Sequence, residues 1–362
     1  MQDAEATGSP DPAQNELAET DHPIIFTGKG NEYFGIWIVN LLLTLVTLGI
    51  YSAWAKVRRM QYFYRNTLLA GASFDYHGNP VAILKGRLIA IALLVAYNLA
   101  GTAHPFLGLA VGAVILAVLP RLILKSLQFR LHNSSYRGLR FRFNGTLKQS
   151  YLTFLLLPLA TVFTFYLLAP FCHQRIKSFQ HNNSAFGQSS FSFNAPVSAF
   201  YGLYLKVWGF LILGVIVLGV VAAMVFGNPF LMTNAKANPQ LFTVISMLFF
   251  FGFFILLLFI RPFLEARLQN LIWNHTQLGP HRFVSNISAG KLFGIMFTNL
   301  IGVIFTLGLF RPFAVTRLLK YRLETVTLAA AGDLDSFLSA HNQEVGAMGE
   351  ETADIFDIDI AL

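Results

Sequence analysis

Acidic residues are almost missing from the middle of this chain. Only Asp75 and Glu265 lie between Tyr33 and Arg322, with seven of the 18 acids before that stretch and nine after it. From Tyr76 to Leu264 there is no carboxylate at all. That removes the intramembrane acids through which pumps relay protons and the carboxylate sets of acid–base enzymes. The single cysteine, Cys172, excludes an internal disulfide. None of the nine histidines falls in a His-x-x-x-His pair, so no metal site and no cofactor are expected. Gly28-Lys29-Gly30 is too short for a phosphate loop, and no dinucleotide or serine-hydrolase fingerprint occurs, so no enzyme is expected. Residues 1–27 carry no Lys or Arg and no apolar core, unlike a cleavable signal peptide.

What is present is apolar. The chain is 55% hydrophobic and 12% charged, with a mean hydropathy of +0.56. Seven apolar segments stand out, at 34–54, 87–100, 106–120, 151–171, 203–226, 241–260 and 292–313. About twenty residues cross a bilayer, so the expected class is an all-α integral membrane protein with about seven apolar segments. The composition divides it into a disordered acidic tail (1–23), a membrane domain (24–323) and an acidic C-terminal tail (324–362).

Between apolar segments a pattern recurs. Asn66 precedes Gly71, Asn133 precedes Gly138, Asn182 precedes Gly187 and Asn274 precedes Gly279, each by five residues. An alternating, strand-like stretch with a central Phe follows each Gly. Asn and Gly both tolerate positive φ, so four short β-hairpins at the membrane surface are predicted, with these residues in structural turn roles. The last apolar segment also repeats the first at a constant offset of 259, as in Asn40 and Asn299, Gly49 and Gly308, and Arg58 and Arg317. Repeat units of about 24–150 and 151–290, with a partial copy at 291–323, are the reading.

Two topologies follow. If all seven segments span, the second repeat is inverted, the hairpins at 133–145 and 182–194 lie on opposite sides, and the arrangement is that of many transporters. If 34–54, 151–171 and 292–313 dip and return, with breaks at Gly49, Pro158 and Gly308, all hairpins share one side. The charge distribution favours the second and segment length the first. Seven spans are the expectation.

Twenty-five of the 26 Lys and Arg lie between Tyr33 and Arg322. Two clusters mix cations with aromatic or apolar residues: Lys56, Arg58 and Arg59, and then Arg130, Arg137, Arg140 and Arg142. They are the candidate surface for anionic lipid, at about 1 kcal/mol per cation near a headgroup layer. Nucleic acid is not an expected partner, because these cations flank apolar spans. Asn40 and Asn299 are candidate intramembrane polar groups, bridging helices or lining a polar path.

The stretch NLLLTLVTLGIYSAWAKVRRMQYFYRNTLLAGASFDYHG, from Asn40 to Gly78, resembles the signature of the YjgN-like bacterial inner-membrane proteins, a family defined as a domain of unknown function. The stretches RFRFNG and HRFVSN and the run Gly332-Asp333-Leu334-Asp335 are similar too, so the likeness covers roughly 24–337. It implies a multi-pass protein of the bacterial inner membrane and brings no substrate, cofactor or catalytic residue. The functional expectation is a transporter or channel-like protein for a small solute. The alternative is a non-transporting envelope protein whose basic hairpin layer binds anionic lipid or partner proteins. Substrate and oligomeric state are not legible.

Overall fold

The structure is a computed structural model that describes residues 19–229, 233 and 239–332. Residues 1–18 and 333–362 of the expected tails, and Lys236, lie outside the described residues.

The described helices come in five consecutive pairs. The first is α1 (Gly30–Val46) and α2 (Ser52–Arg65). The second is α3 (Pro80–Ala103) and α4 (Pro105–His132). The third is α5 (Leu147–Phe163, with a π-helical turn at Leu152–Leu156) and α6 (Ala169–Asn182). The fourth is α7 (Val197–Phe226) and α8 (Pro239–Trp273), and the fifth is α9 (Ala289–Phe305) and α10 (Arg311–Glu324).

Among the described residues, only α3, α4, α7 and α8 are long and apolar enough to cross a membrane. With 24 residues α3 reaches about 36 Å, beyond the roughly 30 Å of a hydrocarbon core. The helices α1, α5 and α9 have 17 residues each and stop near 26 Å. In each short pair the chain then reverses through a tight turn into a helix of 14 residues. The turns place Leu48 and Gly49, Phe165 and Tyr166, and Leu307 and Gly308 at positive φ. Their tips are bare and apolar, with Leu48 and Leu307 both 95% exposed and Phe165 90%. Turn amides are satisfied locally: Gly49 N–H donates to the Thr44 carbonyl at 2.7 Å, Tyr166 N–H to Thr161 at 2.8 Å and Gly308 N–H to Val303 at 2.8 Å. A reversal inside hydrocarbon requires such internal satisfaction.

Each pair delivers the chain into one antiparallel sheet of eleven strands, in the order β1-β11-β10-β9-β8-β7-β6-β5-β4-β3-β2. Four hairpins supply eight strands: β3–β4 (Thr67–Leu69, Ala72–Tyr76), β5–β6 (Ser134–Tyr136, Leu139–Phe143), β7–β8 (Ser184–Phe186, Ser189–Phe193) and β9–β10 (Thr276–Leu278, His281–Ser285). After α10 comes β11 (Val326–Ala331), and before α1 come β1 (Glu19–Pro23) and β2 (Ile25–Phe26). The segment 19–26 pairs first with β11 and then with β3, so one stretch serves both edges and nearly closes a barrel. Closure removes the exposed edges that would otherwise recruit other strands. The five junctions use one bond. The amides of Thr27, His77, Asn144, Asn194 and Asn286 donate to the carbonyls of Asn66, Asn133, Asn183, His275 and Thr325, at 2.7–3.2 Å.

Two layers of side chains fill the barrel. Ile24, Phe74, Phe141, Phe191 and Phe283 form one, with the successive Phe rings stacked at 6.2–6.5 Å between centroids. Leu69, Tyr136, Phe186, Leu278 and Leu328 form the other. The buried Tyr136 hydroxyl donates to the Leu69 carbonyl at 2.6 Å.

Several expectations are corrected. The protein is not all-α with about seven spanning segments: it has four candidate spans and a nearly closed barrel. The inverted arrangement fails because β6 pairs directly with β7, joining the two hairpins that it put on opposite sides. Residues 19–23 and 326–331, assigned to tails, pair with each other as β1 and β11. The third break lies at Phe165–Tyr166; Pro158 sits inside α5, where it follows the π-helical turn. The Asn-x4-Gly copies are of two kinds. Asn66 and Asn133 cap the ends of their helices; in the third copy Asn183, not Asn182, does so, and in the fourth the helix ends at Trp273, with Asn274 and His275 in the turn before β9. Asn182 and Asn274 instead accept from the amides of Phe193 and Ser285, both at 2.6 Å. Gly71 and Gly138 are second in their turns, behind Ala70 and Arg137 at positive φ, while Gly187 and Gly279 come first.

A shared side for all hairpins is testable. In a Cys172→Ser background, cysteines at Arg140 and Gln188 are expected to react with an impermeant thiol reagent from the same side. One at His104, in the α3–α4 turn, is expected to react from the other. Labelling of positions 140 and 188 from opposite sides would disprove this topology.

Candidate functional site

A cavity of about 630 Å³ lies where the first and last helical pairs meet. Four cations line it: Lys56 and Arg59 from α2, Arg87 from the start of α3 and Arg311 from the start of α10. Tyr33 and Asn40 of α1 and Ser52 of α2 add polar groups, and Arg87 Nη1 donates to Ser52 Oγ. Trp37, Leu41 and Val315 give the same cavity an apolar wall. No carboxylate is among the described lining residues. Asp75 is held by Arg65 at 2.9 Å, and Glu265 by Arg261 at 2.8 Å and Arg322 at 3.6 Å. Burial holds the Lys56 ammonium below its ordinary pKa, and the charges of Arg87, Arg59 and Arg130 depress it further. Clustered like charges in a half-desolvated site repel, and an anion relieves them. The arrangement suits a phosphate-class anion carrying an apolar body.

Only Lys56 and Arg59, of the seven cations singled out in the sequence, reach this cavity. Arg58 donates to Asn40 Oδ1 at 3.4 Å and Tyr51 Oη at 3.3 Å. Arg137 donates to the Ala70 carbonyl at 2.8 Å, Arg140 meets His132 Nε2 at 3.0 Å and Arg142 donates to the Gly187 carbonyl. Arg137 and Arg142 therefore staple neighbouring hairpins. Arg130 faces the open end of the barrel. Asn40 lines the cavity, while Asn299 joins α9 to α10, donating to the Ala314 carbonyl at 3.0 Å and accepting from Arg317 at 3.2 Å. Sequence reasoning missed Arg87 and Arg311. They lie far apart in the chain and no spacing links them; they converge only because α1 packs on α10.

Beside the barrel, His181 stacks on Phe193 at 5.4 Å, meets Trp273 edge-on at 6.0 Å and lies 3.3 Å from Thr276 Oγ1. Burial first, and then Lys177, pushes its pKa down to about 4. With a native pKa below the unfolded value of about 6.5, the unfolded chain takes up the proton first. This contribution is therefore neutral above pH 7, and stability falls as pH drops from about 6.5 toward 4. His181→Gln is expected to flatten that slope in unfolding midpoints measured between pH 7.5 and 5. An unchanged slope would refute the assignment to His181.

Residues 21–355 match the model of a family described as bacterial protein of unknown function (DUF898). The inner membrane protein YjgN of Salmonella typhimurium strain LT2 is 26% identical over 358 residues, which cover 87% of this chain and 90% of that protein. Inner membrane protein YjgN of Escherichia coli O157:H7 is 32% identical over 135 residues, 37% of this chain and 34% of that protein. No solved structure matches.

Proposed function

We propose, for a chain that belongs to the DUF898 family of bacterial proteins, that it is a multi-pass inner-membrane protein which holds the phosphate headgroup of an anionic phospholipid. The observation that carries this reading is the acid-free cavity in which Lys56, Arg59, Arg87 and Arg311 face an apolar wall. Its location fits: Arg87 lies in the second turn of α3, one end of a candidate span. The relatives' names support an inner-membrane location. The excess of cations around one sheet supports a cytoplasmic side for the barrel. The common plan of five helical pairs, each leading into strands, supports an internal repeat.

Solute transport has less support. The apolar windows of the four spans are at most 17% buried, so they face lipid rather than walling a water-filled path. The barrel interior is lined by apolar side chains, with no charged group among those described. The test is lipid retention. Protein reconstituted with equal phosphatidylglycerol and phosphatidylcholine, then stripped with mild detergent, is expected to keep the anionic lipid by native mass spectrometry. Equal retention of both would overturn the reading.

A further inference from the structure

A second cavity, separate from the cationic one, runs along the barrel axis. Inside the barrel is an apolar space of about 180 Å³, lined by the two five-residue layers and Trp273. Below it, toward the helices, opens a mouth of about 400 Å³. The two spaces share Ile24, Phe74, Phe141 and Trp273, so the mouth leads into the barrel. Leu131, Leu319 and Leu323 continue the apolar wall outward. Polar groups occur only at its rim, where Arg130, Tyr64, Thr67 and Ser134 reach it.

The rim is cationic and lacks a counter-ion. Arg130 lines both the mouth and a smaller adjoining space of about 150 Å³ that also includes Gln180 and His181. Lys177, one turn before His181, donates to Gln180 Oε1 at 3.3 Å. Burial, followed by the charges of Arg130 and Arg322, pulls its pKa down. Among the described residues no carboxylate pairs with Arg130 or Lys177, and Glu265 reaches only Arg322 of this group. An apolar slot with the Arg130 guanidinium at its rim matches one ligand chemistry, a single alkyl chain with an anionic head.

We propose that the barrel mouth binds such a chain, its anionic head at Arg130 and its tail directed past Trp273 toward the Phe74–Phe141 face. A free fatty acid and one acyl chain of a membrane phospholipid share this chemistry.

Trp273 provides the readout. Bromine on an alkyl chain quenches tryptophan only at contact. In nanodiscs, bromodecanoic acid is expected to quench the wild-type protein saturably, with the saturable part absent in Trp273→Phe. Arg130→Gln should weaken that binding about tenfold, the loss of one charge-assisted contact. Leu323→Phe, which narrows the mouth without adding a tryptophan, should abolish the decrement without changing the unfolding midpoint by more than a few degrees. If brominated phospholipid, but not the free acid, quenches Trp273, the chain belongs to the bilayer lipid and the site stands. If neither quenches Trp273, or if Arg130→Gln leaves the affinity unchanged, the proposal is overturned. Lys56 and Arg59 are absent from this mouth, so a failure of the headgroup reading leaves the result interpretable.

Discussion

Replacing Lys56 and Arg59 together with Gln is expected to lower retention of anionic phospholipid on the order of thirtyfold. A hydrogen bond to a charged partner contributes about 1.5–3 kcal/mol, and each 1.4 kcal/mol is tenfold in affinity. Lys56 is half-buried and falls within that range, while Arg59 is exposed and screened by solvent, so its share is smaller. The same double change is expected to leave the unfolding midpoint unchanged or raise it, because Lys56 sits among Arg87, Arg59 and Arg130 without a carboxylate. Loss of lipid with gain of stability is a combination that a merely structural role would not produce. The comparison variant is Arg140→Gln with Arg142→Gln. Those side chains are occupied by His132 and the Gly187 carbonyl, so lipid retention should stay within twofold. Equal loss in both double variants would mean that diffuse surface charge, not the cavity, holds the lipid.

Phe186→Ala is expected to destabilise the protein by about 3–5 kcal/mol, the range for truncating a buried Phe. Phe186 is 2% exposed in the inner layer of the barrel, with Phe141 at 4.9 Å and Tyr136 at 6.0 Å between ring centroids. Its neighbours come from another hairpin, so truncation leaves a void across the β6–β7 seam that local collapse cannot fill. Phe165→Ala, at a turn tip that is 90% exposed, should change stability by no more than about 0.5 kcal/mol. Equilibrium unfolding in mixed micelles, followed by tryptophan fluorescence, separates the two. A Phe186→Ala cost no larger than that of Phe165→Ala would show that the barrel does not carry the stability of this layer.

Much of the local structure was written in the residues themselves. The hairpins were legible because Asn and Gly punctuate them and because the Phe at the centre of each second strand alternates with polar neighbours. Gly49 and Gly308 were legible as breaks only in the alternative to the expected seven spans, whereas the clustering of cations away from the acidic ends was plain in the composition. What pairs with what was not. A five-residue strand carries no mark of its neighbour, and the partner of β11 is β1, at the other end of the chain. Whether a 17-residue apolar helix spans or returns was likewise set by the 14-residue helix packed behind it and the sheet into which both must deliver the chain. The Arg137 and Arg142 side chains read as lipid contacts in one dimension and became hairpin staples in three, because neighbouring hairpins brought carbonyls within their reach. The sequence by itself determined a basic membrane protein, nearly without acids between Tyr33 and Arg322, built from helix-and-hairpin pieces. Only the tertiary structure decided that those pieces close into one barrel on one side, and that Lys56, Arg59, Arg87 and Arg311 share a cavity. Closure depends on contacts between the chain's two ends, and no local pattern encodes them.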